Sequence, residues 1–410
     1  MRFSRFILLL LMLVVFFQVS SLMAPHREGD EMVFLALSQN MSWGLSDYTV
    51  MDIEPLNQFA NRLYRAPIFM HPPLFPLILK LGGVFANTIV FGVIFNGLMK
   101  LWLAIVIYWV ALELQFHERA AQAASIMVIA CPVLGFVGSR VLADSVFVAL
   151  LWTSILYLLR ALHQKSDAAL LLSALVFAFF LNTKFQAVLI LPGYLMSWVL
   201  VGFWISRRRA SFQSLVPITL IASVILIGFG MVHYFRLFNA FGIEGTRDLM
   251  VVERPINDFI RRVGSRQLLP MTVYLLLIFP LFIILVIPRV WSGFLQQLRN
   301  SREQQQGWMV AALPISFTMG LVSVWFFQQE RYWAPVIPMG FLLVARMLVP
   351  LRDASNTFRA LLIPGFIGIL FIGNFMTNVL TPGSMTAVVS PVLFRFFPFL
   401  VREGGPFFGF

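Results

Sequence analysis

The sequence predicts an all-α, polytopic integral membrane protein with about eleven transmembrane helices, on three observations. Of its 410 residues 60% are hydrophobic and only 12% charged, with a mean hydropathy of +0.86. Soluble domains carry about 45–50% apolar and about 25% charged residues. The apolar residues also arrive in runs near the roughly 20 needed to cross a bilayer, without the alternation of a barrel strand. Finally, a lone cysteine, Cys131, cannot form an internal bridge, which excludes a disulfide-stapled scaffold. Lipid offers no hydrogen bonds to the backbone, so such runs must be helices.

The first predicted span covers residues 5–23. It follows Arg2 and ends near small residues, so a signal peptide is the alternative to a retained anchor. The second covers 88–114, and the next four 120–137, 143–162, 168–181 and 186–205. The fifth of these spans, 168–181, is short for a full crossing. Five more follow at 215–235, 268–288, 308–327, 332–348 and 360–380. Between the first two lies an outer loop, 24–87, whose apolar stretch opened by Pro72, Pro73 and Pro76 is too short to span. It is expected as an interfacial or re-entrant helix. A second large outer loop runs over 236–266, and no internal repeat or separate soluble domain is expected within 1–410.

The formal net charge of +12 points to anionic headgroups rather than nucleic acid. Short basic loops at His117-Glu118-Arg119, Arg160 with Lys165, and Arg207-Arg208-Arg209 belong on the cytoplasmic side, which puts the N-terminus inside. The expected setting is a bacterial inner membrane with the site facing outward; an endoplasmic reticulum membrane is the alternative, where Asn40-Met41-Ser42 would be a glycosylation sequon.

Charges in lipid are costly, so those at span ends are functional candidates. On the outer side they are Asp30 and Glu31, Arg65 and His71, Arg140 and Asp144, Lys184, and Glu330 with Arg331. Two acidic sites ringed by cations suit a phosphate-bearing molecule reacting near the interface. Asp30 or Glu31 can serve as a general base or hold a divalent cation; equally, both can complement the start of a helix running to Met41. Arg140 and Asp144 are four apart and share a face if both are helical, while Asp144 alone can be an N-cap. Lys184 is an interfacial anchor or a phosphate ligand. His71 is a loop residue or a ligand at the cavity mouth, and Arg331 beside Tyr332 can engage phosphate oxygens or pair with Glu330. Lys100 falls near the middle of the second span, where a bundle-facing pair or a shifted span would explain it.

In this order the motifs resemble those of the GT-C glycosyltransferases, in the branch of the aminoarabinose transferases and protein O-mannosyltransferases. Asp30-Glu31-x-x-Phe34 is similar to the family's Asp-Glu-x-x-Tyr signature, with Phe34 in place of the tyrosine. His71-Pro72-Pro73-Leu74, Ser139-Arg140-Val141-Leu142-Ala143-Asp144-Ser145, Asn182-Thr183-Lys184 and Arg331-Tyr332-x-x-Pro335 resemble the motifs that follow. The resemblance covers roughly residues 5–350.

It implies a membrane enzyme that moves a sugar from a polyprenyl-phosphate-linked donor to an acceptor hydroxyl at the extracytoplasmic face, with inversion. By resemblance Asp30 is the general base, Glu31 supports the acceptor or a metal, and Asp144 is the second acidic site. Lys184 and Arg331 stabilise the departing lipid phosphate, and Arg65, His71, Arg140 and Tyr332 bind substrate. A divalent cation (Mg, Mn or Zn) held by Asp30, Glu31 or Asp144 is left open. So are the acceptor (lipid, glycan or protein) and a partner subunit. Two alternatives remain: a polysaccharide polymerase or ligase working through the basic stretch 236–266, and a transporter or flippase of lipid-linked sugars. The latter predicts inverted repeats, broken helices and charges at the midplane.

Overall fold

The computed structural model describes residues 3–23, 30–40, 72–184, 186–208, 301–324, 330–348 and 357–375, and every regular element among them is helical. Twelve α-helices are named here in chain order: α1 Phe3–Met23, α2 Asp30–Asn40, α3 Leu74–Gly83, α4 Thr88–Glu113, α5 Glu118–Ala130, α6 Pro132–Gly138, α7 Asp144–Gln164, α8 Asp167–Leu181, α9 Gln186–Arg208, α10 Arg302–Val324, α11 Ile337–Leu348 and α12 Thr357–Phe375. A 3₁₀ turn, Glu330–Trp333, precedes α11.

Among the described residues α4 and α7 are long and apolar enough to cross a membrane, and α5 with α6 counts as a third if taken as one bent span. Two predicted spans, 215–235 and 268–288, lie outside the described residues, as do Arg65, His71 and the loop 236–266. Most other span ends fall within a few residues of the helices.

Two predicted spans differ in kind. The span 120–137 is two helices meeting at 60°. Cys131 is extended (φ −65°, ψ 126°) and Pro132, without an N–H, opens the second helix. A carbonyl near the break is taken by a side chain: Asn374 Nδ2 on α12 donates to Ile129 O at 2.9 Å, as apolar surroundings require. The predicted helix 332–348 begins instead as the 3₁₀ turn, and its α-helical part starts at Ile337.

The long helices form an antiparallel array because their turns are tightly capped. Asn87 Oδ1 accepts from Ile89 N at 3.0 Å and starts α4. Lys165, in the left-handed region at φ 52°, ends α7, and Ser166 Oγ accepts from Ala169 N at 3.2 Å to start α8. The most extensive packing is between α7 and α8, α9 and α10, α4 and α7, and α4 and α5. Helix α7 is therefore buried nearly all round, while α4 leaves Val90, Ile94, Leu98 and Trp102 exposed along one side. Running α4 down, α5 and α6 back, and α7 down again brings the start of α4, the end of α6 and the start of α7 to one end of the array. The candidate residues gather there.

Candidate active site

The site is built over an apolar floor. Phe34 of α2, Phe75 and Leu79 of α3, Val93 of α4, and Leu142 and Val146 around the start of α7 form one buried cluster. Phe34 meets Phe75 edge to face, with centroids 5.1 Å apart. Where the family signature has a tyrosine, this chain places a ring that is 1% exposed and packed on hydrocarbon. Helix α2 is accordingly embedded rather than a surface helix: residues 33–38 are all buried.

Two ion pairs lie above that floor. Glu31 accepts from Arg140 Nη1 at 3.2 Å through Oε2, and from the Val141 backbone N–H at 2.7 Å through Oε1. Lys184 Nζ donates to Asp144 Oδ1 at 2.8 Å. All four side chains are almost completely withdrawn from solvent. The condition under which Arg140 and Asp144 would share a helix face is not met: Arg140 stands in the non-helical turn after α6, and only Asp144 is helical. Each takes a different partner, from a different part of the chain. Nor does Asp144 cap a helix; it is the first residue of α7, and its carboxylate turns to Lys184. Its second oxygen, Oδ2, is buried and has no hydrogen-bond partner among the described residues.

The remaining motifs reach the same place. Lys184 Nζ lies 5.4 Å from the centre of the Tyr332 ring, and the Arg331 guanidinium lies 5.4 Å from the same ring. The Pro-Pro-Leu motif is joined to the Asn-Thr-Lys motif by a backbone bond from Leu74 N to Asn182 O at 3.1 Å. Trp152 Nε1 on α7 donates to Pro335 O at 2.9 Å and anchors the segment that carries Arg331 and Tyr332. Asp30 opens α2 beside Glu31. Thus Glu31, Arg140, Asp144, Lys184, Arg331 and Tyr332 converge, while Arg65 and His71 lie outside the described residues.

Glu31 and Asp144, with Asp30, are the acidic residues for which a divalent cation was left open. Glu31 and Asp144 are each already matched by a buried cation, and no group of three His, Cys, Asp or Glu side chains stands together among the described residues.

Two buried amides and a buried indole escaped the sequence reading. Asn96 of α4 donates through Nδ2 to Arg140 O and to Leu142 O, the latter at 2.9 Å. Gln18 of α1 donates to Gly138 O at 2.6 Å, and Trp152 is noted above. A polar amide inside an apolar span was the available signal for the first two. Lys100 faces the bundle: its ammonium lies 5.2 Å from the Phe17 ring centre and it is 3% exposed. A Cβ on Gly138 would fall 2.9 Å from its Cδ, so a glycine is what lets the turn sit over this lysine.

Comparison with known proteins bears on this arrangement in two ways. In fold, the chain is similar to ArnT from Cupriavidus metallidurans bound to undecaprenyl phosphate, with TM-score 0.52 and 14% identity over 96% of this chain and 72% of that one. ArnT in the apo state gives 0.55 and 14% over 94% and 74%. The Archaeoglobus fulgidus oligosaccharyltransferase AglB, in complex with an inhibitory peptide and a dolichol-phosphate, gives 0.53 and 10% over 92% of this chain and 55% of that one. In sequence, residues 70–235 match the family model described as dolichyl-phosphate-mannose-protein mannosyltransferase. Comparison with curated protein sequences gives no match. The GT-C resemblance read from the motifs is borne out. The matched stretch contains the Pro-Pro-Leu, second acidic and Thr-Lys motifs, whereas Asp30-Glu31 and Arg331-Tyr332 fall outside it and are joined to it by the contacts above.

Proposed function

We propose that this protein is a membrane glycosyltransferase that moves a sugar from a polyprenyl-phosphate-linked donor to an acceptor hydroxyl at the extracytoplasmic face. The observation that carries the reading is the convergence of two acidic motifs with Lys184, Arg331 and Tyr332 at one end of the helical array. A prenyl-linked donor keeps its tail in lipid and its phosphate at such an end. The match to the mannosyltransferase family model and the likeness to ArnT favour this donor class.

In the proposed reaction Asp30 takes the proton of the attacking hydroxyl. The hydroxyl oxygen bonds to the anomeric carbon as the carbon–oxygen bond to the phosphate breaks. One displacement inverts the configuration and releases the polyprenyl phosphate with the bonding electrons. Arg331 and Lys184 stabilise the charge that develops there, with Arg65, His71 and Tyr332 completing the substrate contacts. Asp144 carries a free, buried carboxylate oxygen suited to accept from a substrate hydroxyl. Glu31, its oxygens taken by Arg140 and Val141, acts by holding the second acidic turn against α2. A bacterial inner membrane and a lipid, glycan or protein acceptor remain part of this proposal.

The broken α5–α6 span, with buried Lys100 beneath its end, is a feature that a transporter of lipid-linked sugars would also use. One experiment separates the two readings. Membranes holding wild type, Asp30→Asn or Asp144→Asn are given a panel of radiolabelled polyprenyl-phosphate sugars with candidate acceptors. Transfer by wild type, lost in either variant at normal expression, supports the enzyme; transfer persisting in both discards the carboxylate roles. Movement of labelled lipid across the membrane without transfer supports the transporter.

A further inference from the structure

The turn that carries Arg140 and leads into Asp144 has more of its backbone tied down by side chains than any helix end requires. Helix α6 is seven residues long and ends at Gly138, and a helix end leaves carbonyls without intrahelical partners. Ser139 Oγ donates to Phe136 O at 3.1 Å, and Ser145 Oγ to Val137 O at 2.8 Å. Gln18 takes Gly138 O. Beyond the helix, Asn96 spans the turn by donating to both Arg140 O and Leu142 O, while Glu31 accepts from the Val141 N–H between them. The backbone at Arg140, Val141 and Leu142 is thus gripped from two sides, by α2 and by α4.

Asn96 is the central member of this grip. It is fully buried, and the carboxamide is suited to the task because its one nitrogen carries two hydrogens for two carbonyls. Its oxygen, Oδ1, finds no hydrogen-bond partner among the described residues. Leaving a buried acceptor unsatisfied is unfavourable, but a hydroxyl, with its single hydrogen, could serve only one of the two carbonyls. What the amide gains is simultaneous hold on two points of one turn. Gly97 beside it makes room for the second clamp: a Cβ there would fall 3.0 Å from Gln18 Nε2.

We infer that Asn96 is a positioning residue for the transfer reaction, fixing the 140–142 turn so that Arg140 meets Glu31 and Asp144 meets Lys184. The inference rests on the proposed glycosyltransferase reading for its activity consequence, but the clamp itself can be measured without it. Misplacing reacting groups by about 1 Å can cost on the order of 100-fold in rate. Asn96 is fully buried and holds only backbone of the turn, so its loss should act on turnover more than on donor binding.

The test uses the full chain in lipid nanodiscs, as wild type, Asn96→Ala, Asn96→Gln and Ser125→Ala. Ser125 Oγ donates to Ala104 O at 2.6 Å, a buried bond between α5 and the same helix α4, remote from the turn. It controls for the general loss of a buried hydrogen bond. Two readouts are taken: amide hydrogen exchange of the peptide covering 136–146, and sugar transfer from the polyprenyl-phosphate donor found active. The expected result is faster exchange in Asn96→Ala but not in Ser125→Ala, with kcat down about tenfold or more and KM for the donor within about threefold. Asn96→Gln, which keeps the amide on a longer arm, should recover part of both, and it remains testable if the alanine variant fails to fold. Unchanged exchange in both Asn96 variants, or transfer within twofold of wild type in both, overturns the inference. If wild type transfers no sugar to any acceptor, the functional reading falls, and the exchange result alone then decides whether Asn96 holds the turn.

Discussion

The two ends of the helical array each hold acidic side chains, or a single one, matched by basic partners, and the clusters differ mainly in their surroundings. At the site end Glu31–Arg140 and Asp144–Lys184 have contact distances of 3.2 and 2.8 Å and side-chain exposures of 3–7%. At the far end Glu113, closing α4, meets Arg160 at 3.4 Å and His163 at 3.1 Å, both on the last turns of α7, at exposures of 18–28%. Arg160 also lies over the rings of Trp109 and Tyr157, the arrangement of a long side chain resting on apolar surface with its head near water. Distance alone does not separate the clusters. Desolvation does: an exposed pair contributes about 0–1 kcal/mol, while breaking a buried one costs about 3–5 kcal/mol because a naked charge stays behind. The far-end cluster can be lost at little cost, whereas the site-end pairs must stay intact for the fold to hold.

The sharpest way to break this contrast is Lys184→Met, which leaves Asp144 buried without its cation. A loss of about 3–5 kcal/mol in chemical denaturation is expected. Adding Asp144→Asn to the same chain should restore most of the stability but no transfer, and a double variant no more stable than the single one would contradict the pairing. Next comes Glu31→Gln, which keeps an acceptor for Val141 N–H but discards the charge opposite Arg140. A charge-assisted hydrogen bond is worth about 1.5–3 kcal/mol, so a loss of this order is expected, again by denaturation. Phe34→Leu removes only the edge contact with Phe75 and should cost about 0.5–1.5 kcal/mol beyond the area lost. That variant tells how much of the site end is held by hydrocarbon rather than by charge. The smallest effect is expected from Glu113→Gln: within about 1 kcal/mol, and shrinking as salt is raised, because screening acts on exposed pairs. Salt should leave the Lys184→Met loss nearly unchanged.

Much of this contrast could be read from the sequence, and its limits are instructive. The apolar runs gave α4, α7 and α8 to within two residues, since length and hydropathy are local properties. The meeting of Glu31, Arg140, Asp144, Lys184 and Arg331 followed from topology plus the motif resemblance. The partners did not follow. Spacing suggested Arg140 with Asp144, but the turn after Gly138 takes Arg140 off the helix, and the cations come from 109 and 40 positions away from their carboxylates. The break at Cys131–Pro132 was signalled by the proline and hidden by the continuous hydropathy on either side. Asn96 and Gln18 were overlooked because single amides within long apolar runs look like tolerated exceptions, when in lipid-facing architecture they mark where a backbone has lost its own bonds.

The pairing of Asp144 with Lys184 has a consequence for how the protein is made. The carboxylate leaves the ribosome 40 residues before its ammonium, and at roughly 5–20 residues per second that interval is about 2–8 s. For about the second half of that interval α7, which ends at Gln164, is complete, yet the charge at its first turn still lacks the lysine that pairs with it. The nascent helix must therefore wait with Asp144 at the water boundary or beside the insertion machinery, and it can settle only when the α8–α9 hairpin delivers the lysine. A ribosome stalled between the two would leave a segment that is apolar enough to insert and still too charged to be finished.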